Sequence, residues 1–322
     1  MRILVYGAGA VGQAVGGLLA LSGCDVTMLL RPAIAEAIAR SGLRITGIFG
    51  EHLVAPGRIC ALVEMPQRLT QSSEPFDFVL LTVKSYDTAS AIASLRRIDD
   101  GQFTVISLQN GYGNVEQLLA AFGAGRTLCG RVITGFVIPQ PGTVQITVHA
   151  DAVTVGCFDP GDPGPAAARF AAALDQAGLL ARVSRQVQAE LWAKILYNCA
   201  LNPLGAILGV VYGKLAENGE TRELMDRIID EAYAVMVARN LPRLFASAED
   251  FRAAFYGRMV PPTAAHTPSM LQDLRAGKRT EIDALNGALV RLGEEASVST
   301  PVNRAVCAMV KFLEWKCRRV GT

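Results

Sequence analysis

The segment Gly7-Ala8-Gly9-Ala10-Val11-Gly12 limits what this chain can fold into more than any other: it is a GxGxxG turn set directly after an apolar run at residues 3–6 and directly before a helical pattern. Glycine at the first position permits the tight turn. At the second it lets the backbone approach a pyrophosphate, and at the third it brings the helix close against the strand. Free N–H groups at the start of such a helix attract an anion. The alternative is an ordinary glycine-rich strand-helix turn. Arg2 before an apolar run superficially resembles an export signal, but Gly7, Gly9, Gly12, Gly16 and Gly17 interrupt it, and a strand-turn-helix explains them better.

The rest of the first half repeats this rhythm. Short β-branched runs at residues 3–6, 26–30, 78–83 and 103–108 alternate with helical patterns, which signals a parallel sheet. Pro32 opens one such helix at a favoured first-turn position and Gly42 can close it. Around Val144, Ile146 and Val148 apolar and polar residues alternate, and a turn is expected at Ala150-Asp151 before the run 153–155, as a hairpin that ends the sheet. Residues 159–165 (DPGDPGP) form a dense breaker, followed by an alanine-rich helix and a short strand near residues 180–184. From Gln186 onward the periodicity is helical, with a proline-punctuated loop at 260–268. The expectation is an α/β Rossmann domain with a mostly parallel sheet over residues 1–185 and an all-α domain over 186–322, a division that the length of 322 residues permits.

Bulk chemistry removes several classes of function. The net charge is +2, from 31 basic and 29 acidic residues, and no basic cluster interleaves with aromatics, so nucleic acid is not an expected partner. Seven cysteines without a CxxC pair, and three widely separated histidines (His52, His149, His266), argue against a disulfide framework and a metal mechanism. A reducing cytoplasm fits that cysteine usage. Residues 195–213 carry no charge, yet Asn198, Asn202 and Pro203 lie within them, so they read as a buried core helix rather than a membrane span.

Two groups of residues carry chemistry. The second strand ends Leu29-Leu30-Arg31, where a site for NAD usually has a carboxylate for the ribose hydroxyls. A guanidinium there can pair with a 2′-phosphate instead, which favours NADP. Lys194, Asn198 and Asn202 recur at spacings of four, so on a helix they share one face, with Lys194 at the margin of the uncharged stretch. A lone lysine in that place is commonly a snorkelling surface group, but a buried polar stripe needs partners, and a substrate could supply them. Ser269 reads as an N-cap, with Gln272 completing a capping box; the same helix start could receive a carboxylate. Glu281, taken alone, reads as a surface glutamate.

Together these residues match a known pattern. GAGAVG at 7–12, VKSYDT at 83–88, QNGYGN at 109–114, KILYNCALNPLGA at 194–206 and SMLQDLRAGKRTEID at 269–283 stand in the order and spacing of the ketopantoate reductases (2-dehydropantoate 2-reductases), which the chain resembles over nearly its whole length. The resemblance implies NADPH bound by the glycine loop and Arg31, with Lys84 and Asn110 near its ribose or nicotinamide. It implies Lys194 as catalytic acid, Asn198 and Asn202 as substrate contacts, Ser269 as carboxylate anchor and Glu281 as a carboxylate near the lysine and cofactor. A homodimer is also implied. The chain departs from the pattern at Tyr212, where a smaller polar substrate contact is expected, at Gly130-Arg131-Val132, which replaces a segment often rich in Ser and Thr, and in the longer stretch 242–268.

The expected reaction is hydride transfer from NADPH to the ketone of a 2-oxo acid, with Lys194 protonating the alkoxide; the cofactor supplies the redox chemistry and the helical domain completes the site. Rival readings are a related reductase or dehydrogenase for another 2-hydroxy acid, a hydroxyacid dehydrogenase of the similar helical-domain type, and a non-catalytic NADP-binding module. Turnover against a panel of 2-oxo acids separates them.

Overall fold

In the first strand, β1 (Arg2–Tyr6), the consecutive residues Ile3, Leu4 and Val5 are all fully buried, so both faces of the sheet it begins are covered. A computed structural model describes residues 1–65, 75–158 and 161–320. It divides into one unit of residues 1–109 and 114–187 and another of 110–113 and 188–322.

The first unit is an α/β sheet of Rossmann type. Its strands continue as β2 (Asp25–Leu29), β3 (Leu43–Gly47), β4 (His52–Val54), β5 (Ile59–Leu62), β6 (Phe78–Leu81), β7 (Thr104–Ser107), β8 (Thr127–Gln140), β9 (Thr143–Cys157) and β10 (Ala181–Val183). Their spatial order is β4-β3-β9-β8-β7-β6-β1-β2-β5, with β10 on β9. Pairing is parallel throughout except between β8 and β9 and between β3 and β4. Helices α1 (Ala10–Leu21), α2 (Pro32–Ser41), α3 (Thr88–Arg96), α4 (Asn114–Phe122) and α5 (Gly164–Gln176) flank it. Ile3 and Val5 face Val15 and Leu19 of α1 and Phe170 of α5, while Leu4 faces Leu95 of α3 and Leu118 of α4. Each such fully buried side chain contributes about 1.5–3 kcal/mol. As Pro32 and Gly42 imply, α2 starts at the proline and ends at the glycine, whose φ is 79°.

One expected turn is corrected. The β8–β9 hairpin turns between Gln140 and Thr143, not at Ala150-Asp151, which lies within β9. There the register shifts, with Ile133 opposite Asp151 and Thr134 opposite His149, so β9 spends an extra residue at Ala150. A bulge interrupts the alternation as a turn would. In the breaker at 159–165, Asp159 and Pro160 lie outside the described residues.

The second unit is all α among its described residues: α6 (Val187–Leu208), α7 (Tyr212–Glu217), α8 (Gly219–Ala238), α9 (Ala248–Ala254), α10 (Ser269–Arg275), α11 (Asn286–Glu295) and α12 (Pro301–Val320). Around α6 pack Met225, Ile228 and Ile229 of α8, Phe251 of α9, Leu289 of α11 and Val310 of α12. The uncharged stretch 195–213 is a core helix as far as Leu208, after which the chain turns and Tyr212-Gly213 open α7, and no helix among the described residues is long and apolar enough to cross a membrane.

Candidate active site

At the end of β1, the six loop residues are shaped by what a side chain would strike. Gly7 has φ +86°, and a Cβ there would lie 2.1 Å from Val83 Cγ1 and 2.9 Å from the Val83 backbone nitrogen. A Cβ on Gly12 would lie 2.5 Å from Thr82 Oγ1, so α1 can rest on the sheet only with glycine there. Gly9 differs: the nearest atom to a Cβ would be its neighbour's carbonyl, Gly7 O, at 3.9 Å, and the residue is exposed. That open cradle, at a helix start with no side-chain cap, fits a dinucleotide pyrophosphate on the first-turn N–H groups of Ala10, Val11 and Gly12. The Ala8 N–H donates to Leu29 O at 2.9 Å, and the buried Gln13 amide donates back to Ala8 O at 2.9 Å, which fixes the loop.

Arg31 follows directly on β2 and Leu30, at the N-cap of α2, with its side chain exposed. Lys84, half-buried, precedes a short 3-10 turn at Ser85–Asp87. Gln109, missed in the sequence, braces the segment before Lys84: its amide donates to Val83 O at 3.0 Å and to Thr88 Oγ1 at 2.8 Å. Asn110, half-buried, begins the short segment grouped with the second unit, where the Tyr112 N–H donates to Ala284 O at 2.8 Å.

On α6 the four-residue spacing puts Lys194, Asn198 and Asn202 along one face. Lys194 is half-buried, Asn198 is 7% exposed and Asn202 is 3% exposed. Asn202 Nδ2 donates to Asn198 Oδ1 at 3.2 Å. Asn202 Oδ1 accepts from the Tyr212 hydroxyl at 2.9 Å and from Ser269 Oγ at 3.3 Å. The structure therefore joins buried Asn198 and Asn202 with half-buried Ser269 in one hydrogen-bonded cluster, with Tyr212 as an added member.

Two readings of isolated residues are overturned. Ser269 is not a cap: Pro268 holds the N-cap position of α10, no side chain caps it, and Gln272 Nε2 instead donates to Thr267 O at 3.0 Å. The helix begins one residue earlier than S-x-x-Q implies, so Ser269 is its first residue, and its hydroxyl donates to Asn202 Oδ1. Glu281 is not a surface residue but 8% exposed, immediately before a 3-10 turn at Ile282–Ala284. Around the cluster the Tyr197 and Tyr212 rings meet edge to face at 5.8 Å, and Tyr212 lies 5.4 Å from the His266 ring. Burial pushes the Tyr197 hydroxyl up to about 12 and Tyr212 well above its ordinary value, so both remain proton donors; it also lowers His266, which favours the neutral ring.

Pro203 stands inside α6 and cannot donate to the carbonyl four residues earlier, that of Cys199. The Asn286 side chain supplies the missing donor, with Nδ2 3.0 Å from Cys199 O. Asn286 Nδ2 also donates to Asn303 Oδ1 at 3.0 Å, and Asn303 Nδ2 reaches Glu231 at 2.8 Å, so α6 is tied to α11, α12 and α8 behind the cluster. The proline was the available signal, because it announces an orphaned carbonyl.

The chain is similar to known proteins over nearly its whole length. The family model described as "Ketopantoate reductase PanE/ApbA" matches residues 3–160, and the model of its C-terminal part matches 186–314. A 2-dehydropantoate 2-reductase of Aquifex aeolicus is 39% identical over 98% of this chain and 97% of its own. One from Archaeoglobus fulgidus is 33% identical over 97% and 98%. The crystal structure of a PanE/ApbA family ketopantoate reductase from Ralstonia eutropha superposes with a TM-score of 0.84 at 31% identity, covering 99% of this chain and 100% of that one.

Proposed function

The chain belongs to the ketopantoate reductase family, and from that premise we propose that it reduces a 2-oxo acid, foremost 2-dehydropantoate to pantoate, with NADPH as reductant. Residues 1–185 serve as the NADP-binding domain and 186–322 as the substrate and catalytic domain. When bound, NADPH supplies the hydride that reaches the ketone carbon. Gly7 to Gly12 receive the pyrophosphate, Arg31 pairs with the 2′-phosphate, and Lys84 and Asn110 hold the ribose or nicotinamide end.

Lys194 donates a hydrogen bond to the ketone oxygen and delivers the proton as that oxygen becomes an alkoxide, so its ammonium stabilises charge that grows only toward the transition state. Asn198 and Asn202 orient the substrate, Ser269 anchors its carboxylate, and Glu281 acts as a carboxylate beside the lysine. Supporting this reading above all is the hydrogen-bonded cluster in which buried Asn198 and Asn202, on the same face of α6 as Lys194, meet Ser269 at the start of α10. Buried amides beside a half-buried hydroxyl suit an anionic polar substrate.

The test is steady-state oxidation of NADPH against a panel of 2-oxo acids that includes ketopantoate. The expected result is turnover with ketopantoate and a preference for NADPH over NADH; absence of turnover with every acid removes the reading. Tyr212 favours a second possibility within the same chemistry, a different 2-oxo acid, since a buried phenol occupies a position where the family resemblance implies a smaller polar contact. The same panel decides. For the assembly we propose a cytoplasmic homodimer that binds no nucleic acid, in keeping with the near-neutral net charge of +2; sedimentation reads the dimer directly.

A further inference from the structure

We propose that Tyr212 is a positioning residue for the substrate's carboxylate: by holding Asn202 Oδ1, it frees the Ser269 hydroxyl to turn its proton from the protein to the substrate. This rests on the 2-oxo acid reading above. Tyr212 is 3% exposed, in the first turn of α7, with its ring fixed against Tyr197 and His266 and its N–H on His266 O at 3.3 Å. Enclosed in this way it acts through its neighbour.

Its hydroxyl proton has one acceptor among the described residues, Asn202 Oδ1 at 2.9 Å. The Asn202 amide must therefore present oxygen to Tyr212, which turns Nδ2 toward Asn198 Oδ1 at 3.2 Å.

Ser269 Oγ is the second donor to Asn202 Oδ1, at 3.3 Å. To bind a carboxylate the serine must take its proton away. With Tyr212 in place the buried Oδ1 keeps a donor when that happens; without the phenol it would be left bare, at the cost of an unsatisfied buried acceptor.

Tyr212→Phe keeps the ring and its packing and removes only the donor. With the best 2-oxo acid of the panel, the expected result is a rise in substrate KM of about tenfold, a much smaller change in kcat, and an unchanged KM for NADPH. Ser269→Ala has no proton to turn, so adding Tyr212→Phe to it should move KM by less than about twofold. A substrate KM unaltered by Tyr212→Phe, or a full tenfold effect repeated in the Ser269→Ala background, would overturn the proposal, as would kcat and KM for NADPH changing alongside it. If the unmutated protein turned over none of the acids, the functional reading would fail by itself. The positioning would still be read from protein labelled with ¹⁵N on asparagine side chains: faster hydrogen exchange of the Asn202 amide in Tyr212→Phe supports it, and identical exchange refutes it.

Discussion

At Gly9 the first unit offers bare backbone, with nothing nearer than a neighbouring carbonyl 3.9 Å from where a Cβ would lie, whereas at Asn202 the second unit offers side chains already bonded to one another at 2.9 to 3.3 Å. On the proposed function the glycine loop would recognise its ligand by absence of side chains, and it is complete within a few residues. The amide cluster would recognise by orientation, and its hydrogen bonds join residues as far as 67 positions apart. Groups of the first kind are open to an anion without being oriented by other side chains. Those of the second kind must be held by their neighbours before they can act, because a buried amide with a free choice of orientation presents no fixed pattern of donors.

The contrast breaks most sharply at Lys194. Lys194→Met keeps length and apolar packing and removes charge and proton, so kcat is expected to fall by about 10² to 10⁴-fold, while NADPH affinity, measured by fluorescence titration, stays the same. Near-normal kcat would move the proton source to Glu281 or water. Next in size is Arg31→Ala, expected to raise the KM for NADPH about tenfold or more and to leave that for NADH nearly unchanged, which erodes the cofactor preference without touching the amide cluster. Equal efficiency with both cofactors in the unmutated protein would remove the argument.

A smaller effect isolates the scaffold. Asn286→Ala should cost about 1–3 kcal/mol of stability in denaturant unfolding, by leaving Cys199 O without a donor. Pro203→Ala restores a backbone N–H to that carbonyl and should recover part of the loss in the Asn286→Ala background. Equal losses with and without the proline would show that Asn286 does something else. Smallest of all is the stability change expected for Ser269→Ala. An N-cap serine costs about 0.5–2 kcal/mol when replaced; because Ser269 caps nothing, its loss should raise substrate KM while the thermal midpoint hardly moves. A cap-sized loss of stability with KM intact would reverse that assignment.

How much was legible from the residues follows the same division. Gly7, Gly9 and Gly12 could be read because a local turn and a helix start need only local sequence, and Pro32 and Gly42 marked the bounds of α2 for the same reason. The shared face of Lys194, Asn198 and Asn202 followed from helical spacing. Ser269 was misread because S-x-x-Q satisfies a local rule while Pro268 takes the N-cap position, and its partner Asn202 arrives only through tertiary packing. Glu281 looked like surface for want of any local sign of burial, and Ala150-Asp151 looked like a turn because a bulge breaks the strand alternation in the same way. Tyr212 stood out only as a departure from a family pattern; its bond to Asn202 crosses from one helix to the next.

The central claim is that hydride passes from NADPH to the carbonyl carbon of a 2-oxo acid on this protein. NADPH dideuterated at C4 of the nicotinamide, incubated with the enzyme and the acid in ordinary water, tests it directly when the product is read by mass spectrometry and proton NMR. The expected product carries one deuterium at C2 and none on oxygen after work-up, since Lys194 draws its proton from solvent. A 2-hydroxy acid with ordinary hydrogen at C2, or consumption of NADPH with no 2-hydroxy acid formed, would contradict it.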